Sequence, residues 1–373
     1  MKDTTDVLIV GGGIVGFSLA YALRKRGVEV VVLDQGEGGM QASHAASGLL
    51  APLKPFAKID DPYTQFLLFC LASFPQLIQE LEEFTGITVE YDLTGTIRLR
   101  PRKELARLAA WCAAWRQAGF PVEVLAGDDA GRYEPAAAVG TAVAVYRPGE
   151  PQVNAIQLMQ AWMRAAITAG AAFSPHQTVA AVDYFGRRIQ GVRTAEGHAI
   201  ACRHFVLATG AWAALGGQWL GVTLPVHPVR GQSLLVQQPT PSIQHMLFGQ
   251  GIYLAPKRNG TLIIGTVRDE AGFDAATTPE GIAWLHDRAA QLVPVLRGYP
   301  VEQAWAGLLP VTPDTRPILG PVSRWDNVTL ACGHNGYGLL LAAAAGLLAE
   351  QIVTGQPASQ LSPFLLERFY GLG

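Results

Sequence analysis

Three glycines and one acid carry the first chemistry that can be read from this chain. Gly11, Gly13 and Gly16 stand in the pattern G-x-G-x-x-G, and Asp34 follows in the same unit. Gly11 suits a tight turn, Gly13 the close approach of a pyrophosphate, and Gly16 the close packing of a helix on a strand. Asp34 can accept a hydrogen bond from a ribose 2′-hydroxyl and repels a 2′-phosphate. The chemistry these residues support is the holding of a dinucleotide. Further along, Tyr253, Arg268 and His334 place a hydroxyl, a guanidinium and an imidazole in apolar or glycine-rich surroundings. No Ser-His-Asp order, paired carboxylates or metal-ligand cluster emerges, so no metal site is assigned.

The elements around the glycines are those the chemistry needs. Val7–Val10 is a short apolar run that reads as a buried parallel strand. Helical spacing runs from Ile14 to Arg26, with Leu19, Ala20 and Leu23 on one face. Gly27 stops it, and residues 28–33 form a second strand that ends at Asp34. The helix N-terminus then points its free N–H groups at the phosphates. A glycine-rich turn in an ordinary α/β domain leaves Asp34 unexplained.

Beyond this unit, helices are expected over residues 61–85, 102–118, 153–169, 279–293 and 337–353, with Gly86 and Gly119 as stop signals. Strands are expected over 88–91, 95–99, 141–146, 178–183, 188–193, 204–210, 232–236, 252–255, 261–266, 301–309 and 328–331. Pieces of nucleotide-binding type are dispersed between β-rich pieces. The expected fold is therefore α/β (α+β overall). A Rossmann-like dinucleotide-binding domain over 1–85, 146–215 and 306–373 is interleaved with a substrate domain over 86–145 and 216–305, built on a large, mostly antiparallel sheet.

Composition narrows the function classes. The 373 residues are 49% hydrophobic and 16% charged, ample for a large core, and the net charge of −2 offers no basic field for nucleic acid. Four scattered cysteines without C-x-x-C suit a reducing compartment, so a cytoplasmic location is expected. The apolar stretch over 7–23 is broken by three glycines and that over 339–349 is too short to span, so no integral membrane segment is expected. The pattern is compatible with a homo-oligomer.

No second G-x-G-x-x-G follows a later strand. One dinucleotide is then bound: either a nicotinamide used once per turnover or a flavin reduced directly by an organic substrate. Two features favour FAD. Ala208-Thr209-Gly210 ends a buried strand far along the chain, where two-piece flavoprotein domains close their site. Gly333–Gly338 opens a helix after a strand, which would set backbone N–H groups and a positive dipole end beside a ring. Such a dipole stabilises negative charge on reduced flavin.

Taken together, these segments resemble the D-amino-acid oxidase family of FAD-dependent oxidoreductases, and within it the glycine oxidase type linked to thiamine biosynthesis. The resemblance covers nearly the whole chain. It rests on GGGIVG with Asp34, on ASHAASGLLAP at 42–52, on HPVRGQ at 227–232 and on YLAPKRNGTLIIGT at 253–266 followed by GFD. It continues through WAGLLPVTPDTRPILG at 305–320 and residues 333–346. The resemblance implies FAD contacts at Ile14, Val15, Asp34, Gln35, Ala42, Ser43, Ser47, Gly48, Leu49 and Val179. It implies others at His334, Asn335, Gly336, Tyr337, Gly338, Leu339 and Leu340, beside the Gly11, Gly13, Gly16 and Gly210 turns. Tyr253 matches the tyrosine that lies over the substrate. Leu309-Pro310 stands where some relatives carry a flavin-linking cysteine, so FAD is expected to be non-covalent.

Three residues depart from the glycine oxidase pattern. Leu309 and Gly336 stand where that pattern has two arginines that meet the substrate carboxylate, while Arg268 stands where it has an apolar residue. Arg268 is thus the candidate replacement anchor, through a bidentate pair with a carboxylate. The bland alternative pairs it with Asp269 or Glu270 on a solvated turn. Arg98 and Arg230 read as structural ion pairs, His44 as a loop residue, and Trp111 and Trp115 as core. The implied activity is oxidation of the C–N bond of a small amino acid or N-substituted glycine. Hydride passes to flavin N5, the imine hydrolyses, and O2 reoxidises the flavin to give H2O2. A dehydrogenase subunit of the D-amino-acid dehydrogenase or hydrogen-cyanide-synthase kind, passing electrons to a quinone or partner subunit, is the runner-up. A non-catalytic flavin-binding subunit is the third reading.

Overall fold

The computed structural model describes residues 3–126, 128–138, 140, 142–356 and 358–370. Its strands among these residues are β1 (Thr4–Val10), β2 (Val30–Leu33), β3 (Thr96–Arg100), β4 (Glu123–Ala126), β5 (Val143–Arg147), β6 (Ala172–Ser174), β7 (Val179–Phe185) and β8 (Arg188–Thr194). They continue with β9 (Ala199–Leu207), β10 (His227–Gln237), β11 (Met246–Gly249), β12 (Ile252–Pro256), β13 (Thr261–Asp269), β14 (Gln303–Val311), β15 (Ile318–Pro321) and β16 (Val328–Cys332).

They form two sheets. The first runs β15-β16-β9-β1-β2-β6, with the β7–β8 hairpin attached through β8 to β9. Its centre is parallel, β1 pairing with β2 and β9. Val7 and Ile9 face one buried cluster while Leu8 and Val10 face another. Burial on both faces is why this strand reads as an unbroken apolar run. The second sheet runs β14-β10-β13-β12-β11-β3-β5-β4. It is antiparallel except where β11 meets β3.

Helix Ile14–Arg24 packs in the first cluster through Phe17, Leu19, Ala20 and Leu23. Helix Pro62–Thr85 begins where Asp61 accepts a hydrogen bond from Thr64 N–H and ends at Gly86 in the left-handed region. Both ends follow from local capping chemistry.

Several expectations need correction. Residues 88–91 form no strand. Val89 N–H donates to the Glu82 carboxylate and Val89 C=O accepts from Asn154, so this backbone is held by a helix and a loop. The last helix is broken into Gly338–Leu341, a 3-10 turn at Ala342–Ala344, and Ala345–Thr354. The expected boundaries at 145/146 and 305/306 fall inside β5 and β14, both in the second sheet. The strand expected from Thr141 begins at Val143, and Thr141 itself lies outside the described residues.

Candidate active site

The glycine loop separates its three roles cleanly. Gly11 has φ +113° and sits against Ala208 C=O, and a Cβ on Gly16 would collide with Gly11 C=O. Those two glycines are required by the packing of the protein itself. Gly13 differs, because a Cβ there would meet only the Ser43 hydroxyl at 3.5 Å. Ser43 also accepts a hydrogen bond from Ile14 N–H at 3.1 Å, beside Val15 in the first helical turn. Asp34 accepts from Gly12 N–H at 2.7 Å and Gly36 N–H at 2.8 Å. That fixes the carboxylate at the strand tip, with lone pairs left for a ribose. Gln35 beside it is exposed. Val179 is buried under Leu33, and nearby Gln177 N–H donates to Asp34 C=O. Thr209, in the turn before Gly210, has a buried hydroxyl with no protein partner next to Gly11. An open face at Gly13, a presented carboxylate and an orphan hydroxyl suit the diphosphate and ribose of FAD.

The segment over 42–50 runs between the sheets. Helix Ala42–Ala45 lies under β14, where Gly307 leaves room for Ala45 and Trp305 Nε1–H donates to Ala45 C=O at 3.0 Å. Gly48 (φ +83°) abuts Val153 C=O, and Leu49 bridges to Gln152. Ser47 Oγ and Tyr253 OH share a 2.6 Å hydrogen bond. Lys257 Nζ donates to Ser47 C=O at 2.7 Å and to Gln152 Oε1 at 2.8 Å. Burial lowers the Lys257 ammonium to about 8, with Asp92 and Glu90 opposing the fall.

The closing segment comes from the other side. Asn335 (φ +51°) donates its backbone N–H to Pro310 C=O and its amide to Gly333 C=O. Burial holds the His334 imidazole at about 4, so at neutral pH it is uncharged. Tyr337 N–H bonds to His334 C=O. Leu339 and Leu340 turn their side chains into the first core cluster, so from Gly338 onward only backbone is offered to a ligand.

Tyr253 heads a row of side chains across the second sheet. Phe248 is its partner on β11, Arg98 is the partner of Phe248 on β3, and Gly265 is the partner of Tyr253 on β13. A bulge between Gln232 and Ser233 against β13 inserts one extra residue at Thr266. The bulge shifts the alternation by one, which turns Arg268 onto the face of Gly231, Ser233 and Tyr253. Leu309 shares that face through β14. A Cβ on Gly336 would lie 3.2 Å from Arg268 Nη2 and 3.6 Å from Leu309 Cδ2. The guanidinium therefore sits between the two positions where the resembling pattern carries arginines. Asp269 is engaged by Arg230, and Glu270 lies near His227. Arg268 is exposed but makes no ion pair among the described residues, so the pairing with Asp269 or Glu270 is not formed. Burial pushes the Tyr253 phenol above its ordinary value, against the pull of Ser47, Ser233 and the Arg268 charge.

Arg230 forms the expected structural ion pairs, with Asp269 and Asp274. Arg98 does not. Its guanidinium lies 3.6 Å over the Phe248 ring and donates to Ala51 C=O at 3.3 Å. Trp111 and Trp115 donate to Ala57 C=O from their helix, and His44 is exposed. Lys54, Lys257 and Thr209 were not singled out from the sequence. Lys54 and Lys257 are lone cations in loops or at strand ends, and nothing local distinguishes them from surface lysines.

Comparison with known proteins gives the family. The family description "FAD dependent oxidoreductase" matches residues 6–352. Glycine oxidase of Geobacillus kaustophilus is 35% identical over 375 residues, spanning 100% of this chain and 99% of that protein. Its crystal structure superposes with a TM-score of 0.92 over the full length of both chains. Hydrogen cyanide synthase subunit HcnC of Pseudomonas aeruginosa is 32% identical, covering 99% of this chain and 97% of that one. The structure of iminodiacetate oxidase from Chelativorans sp. BNC1 superposes at TM-score 0.85 with 27% identity, over 96% and 98% of the two chains. The chain belongs to the D-amino-acid oxidase family and is an FAD-dependent oxidoreductase of mixed α/β fold.

Proposed function

We propose that this enzyme oxidises the C–N bond of a small amino acid or N-substituted glycine, with Arg268 holding the substrate carboxylate and Tyr253 positioning the substrate beside it. The observation that carries this reading is the unpaired Arg268 guanidinium against Gly336 and Leu309, on the face of Tyr253. FAD, when bound, supplies the two-electron acceptor. Gly13, Asp34 and Thr209 would hold it through diphosphate and ribose, without a covalent link. The work of the chain is positioning. Arg268 offers a planar fork to a carboxylate. Tyr253, kept protonated by burial and braced by Ser47, presents a hydroxyl of fixed direction. Phe248 and Leu309 keep the surroundings apolar. The reading includes O2 as acceptor, giving H2O2, and a cytoplasmic enzyme, in keeping with its four free, buried cysteines. Likeness to glycine oxidase and iminodiacetate oxidase supports the substrate class.

Glycine, sarcosine and D-alanine are added to the holoenzyme under anaerobic conditions, and flavin bleaching is followed. At least one is expected to bleach it. Admitting air should then yield peroxide, whereas recovery only with a quinone or a partner chain would identify a dehydrogenase. Arg268→Gln should weaken apparent binding of a carboxylate amine by about 10- to 100-fold, the range for one charge-assisted pair. An unchanged constant would remove Arg268 from the site.

A further inference from the structure

Arg268 is not the only cation that the fold turns toward this face. Lys54 follows the segment that passes the cofactor site, and its ammonium lies 5.6 Å from the centre of the Tyr337 ring. Arg98 reaches the same region from β3, through Phe248 and Ala51. Arg98 is only 8% exposed, and its Nε–H has no partner among the described residues. A buried guanidinium with an unused donor is costly unless something charged meets it. Lys54 feels the charge of both arginines. Partial burial first, then the charges of Arg268 and Arg98, hold the Lys54 ammonium below its ordinary value, although its side chain still reaches solvent.

Burial is the main force against the charge of Arg98; Glu150 and then Tyr337 stabilise the charge, and Arg147 opposes it. Glu150 is itself bonded to Thr96 Oγ1 at 2.5 Å and is shared electrostatically with Arg147. Neither arginine forms an ion pair with it among the described residues. One carboxylate against Arg98, Arg147, Lys54 and Arg268 leaves this face strongly positive. A substrate with a single carboxylate satisfies Arg268 and leaves the Arg98–Lys54 side with Glu150 alone as counter-charge, itself shared with Arg147. Arg98 and the Tyr253 partner Gly265 lie three strands apart, roughly 14 Å at the usual interstrand spacing. Two long cationic side chains reaching inward from those strands leave a gap that a short dianion spans.

Resting on the amine-oxidation reading, we infer that the substrate is an amino or imino acid with two carboxylates, one held by Arg268 and the other by Arg98 and Lys54. The cations then act as a specificity device. The α-carboxylate is aligned at Tyr253, and the distal carboxylate meets the orphan donor of Arg98.

Non-oxidisable acids test this on the holoenzyme without turnover. Malonate, succinate and glutarate are compared with acetate, propionate and butyrate, and binding is read from perturbation of the visible spectrum of bound FAD. At least one dicarboxylate is expected to bind about tenfold tighter or more than its monocarboxylate counterpart, the effect of one further charge-assisted contact. Lys54→Met, at a solvent-facing position, should narrow that ratio several-fold, and Arg98→Met should abolish it where the protein retains FAD. Dicarboxylates binding no tighter, or a ratio that Lys54→Met leaves unchanged, would overturn the inference. Failure of the amine-oxidation reading appears separately, as no flavin bleaching by any amine, and does not alter these constants.

Discussion

Gly13 and Gly16 belong to one motif, yet the protein uses them for different ends. A methyl group at Gly13 would find only the Ser43 hydroxyl, whereas at Gly16 it would strike the backbone of Gly11. Gly13→Ala should therefore fold with a stability within about 1 kcal/mol of the parent, the scale of an N-cap change. Its affinity for FAD should fall at least tenfold, because the added methyl narrows the approach of a diphosphate. Gly16→Ala should lose about 3 kcal/mol or fail to fold, as expected of overpacking against backbone. Denaturant midpoints of the apoproteins, beside FAD titrations, separate the two. Equal loss of stability in both variants would contradict the division of roles. At the same scale, Arg268 illustrates what residue type alone conveys. Its departure from the glycine oxidase pattern is visible in the sequence. Its position against Gly336 and Leu309 is not, because a one-residue bulge decides which face it takes.

Among the elements, the turn after β12 ties the two sheets together. Lys257 leaves that turn to bond Ser47 C=O, Gln152 and Val153 C=O, which links the second sheet to the segment passing the cofactor site. Burial lowers its folded-state pKa to about 8, against 10.5 for the free side chain. Between those values the unfolded chain binds the proton and the folded one does not, so stability rises with pH across that window. Relative to Lys257→Met, the parent should gain from pH 8 to pH 9.5, with a slope of at most about 1.4 kcal/mol per pH unit. Chemical denaturation of both proteins at the two pH values checks this. A constant difference would show that the ammonium titrates normally. The elements that formed as expected are those with strong local signals: capped helices and unbroken apolar strands. Residues 88–91 had the apolar alternation of a strand but no neighbouring strand to pair with. Their backbone groups went to Glu82 and Asn154 instead.

For the whole molecule, two histidines, one buried and one half-buried, should set the acid limit. His204 lies on β9 in the first sheet and meets Thr329 Oγ1 at 2.8 Å on β16, while His334 lies in the closing segment. Burial lowers both to about 4, Arg188 adding to the effect at His204. Unfolded histidines take up protons near 6.5. As pH falls from about 6.5 to about 4 the unfolded state binds protons that the folded state refuses, and stability is lost across that window. His204→Gln, which can keep a bond to Thr329, should show a shallower loss between pH 6.5 and 4.5, read from urea midpoints. An unchanged acid limb would exclude His204 as a contributor.

By itself the sequence determined the FAD-dependent family, and it pointed to the glycine turn with Asp34 and to the two motif positions that lack arginines. These are local: a turn that only glycine permits, a strand that ends in Asp34, a residue type at a motif position. Tertiary structure alone decided that Arg268 faces Tyr253, that Arg98 lacks an ion partner among the described residues, and that Lys54 joins them. Those facts depend on a bulge, on the order β13-β12-β11-β3, and on a loop that returns from the other sheet. Side chains far apart along the chain meet only when strand register and sheet order are set, and neither is written in the spacing of any one segment.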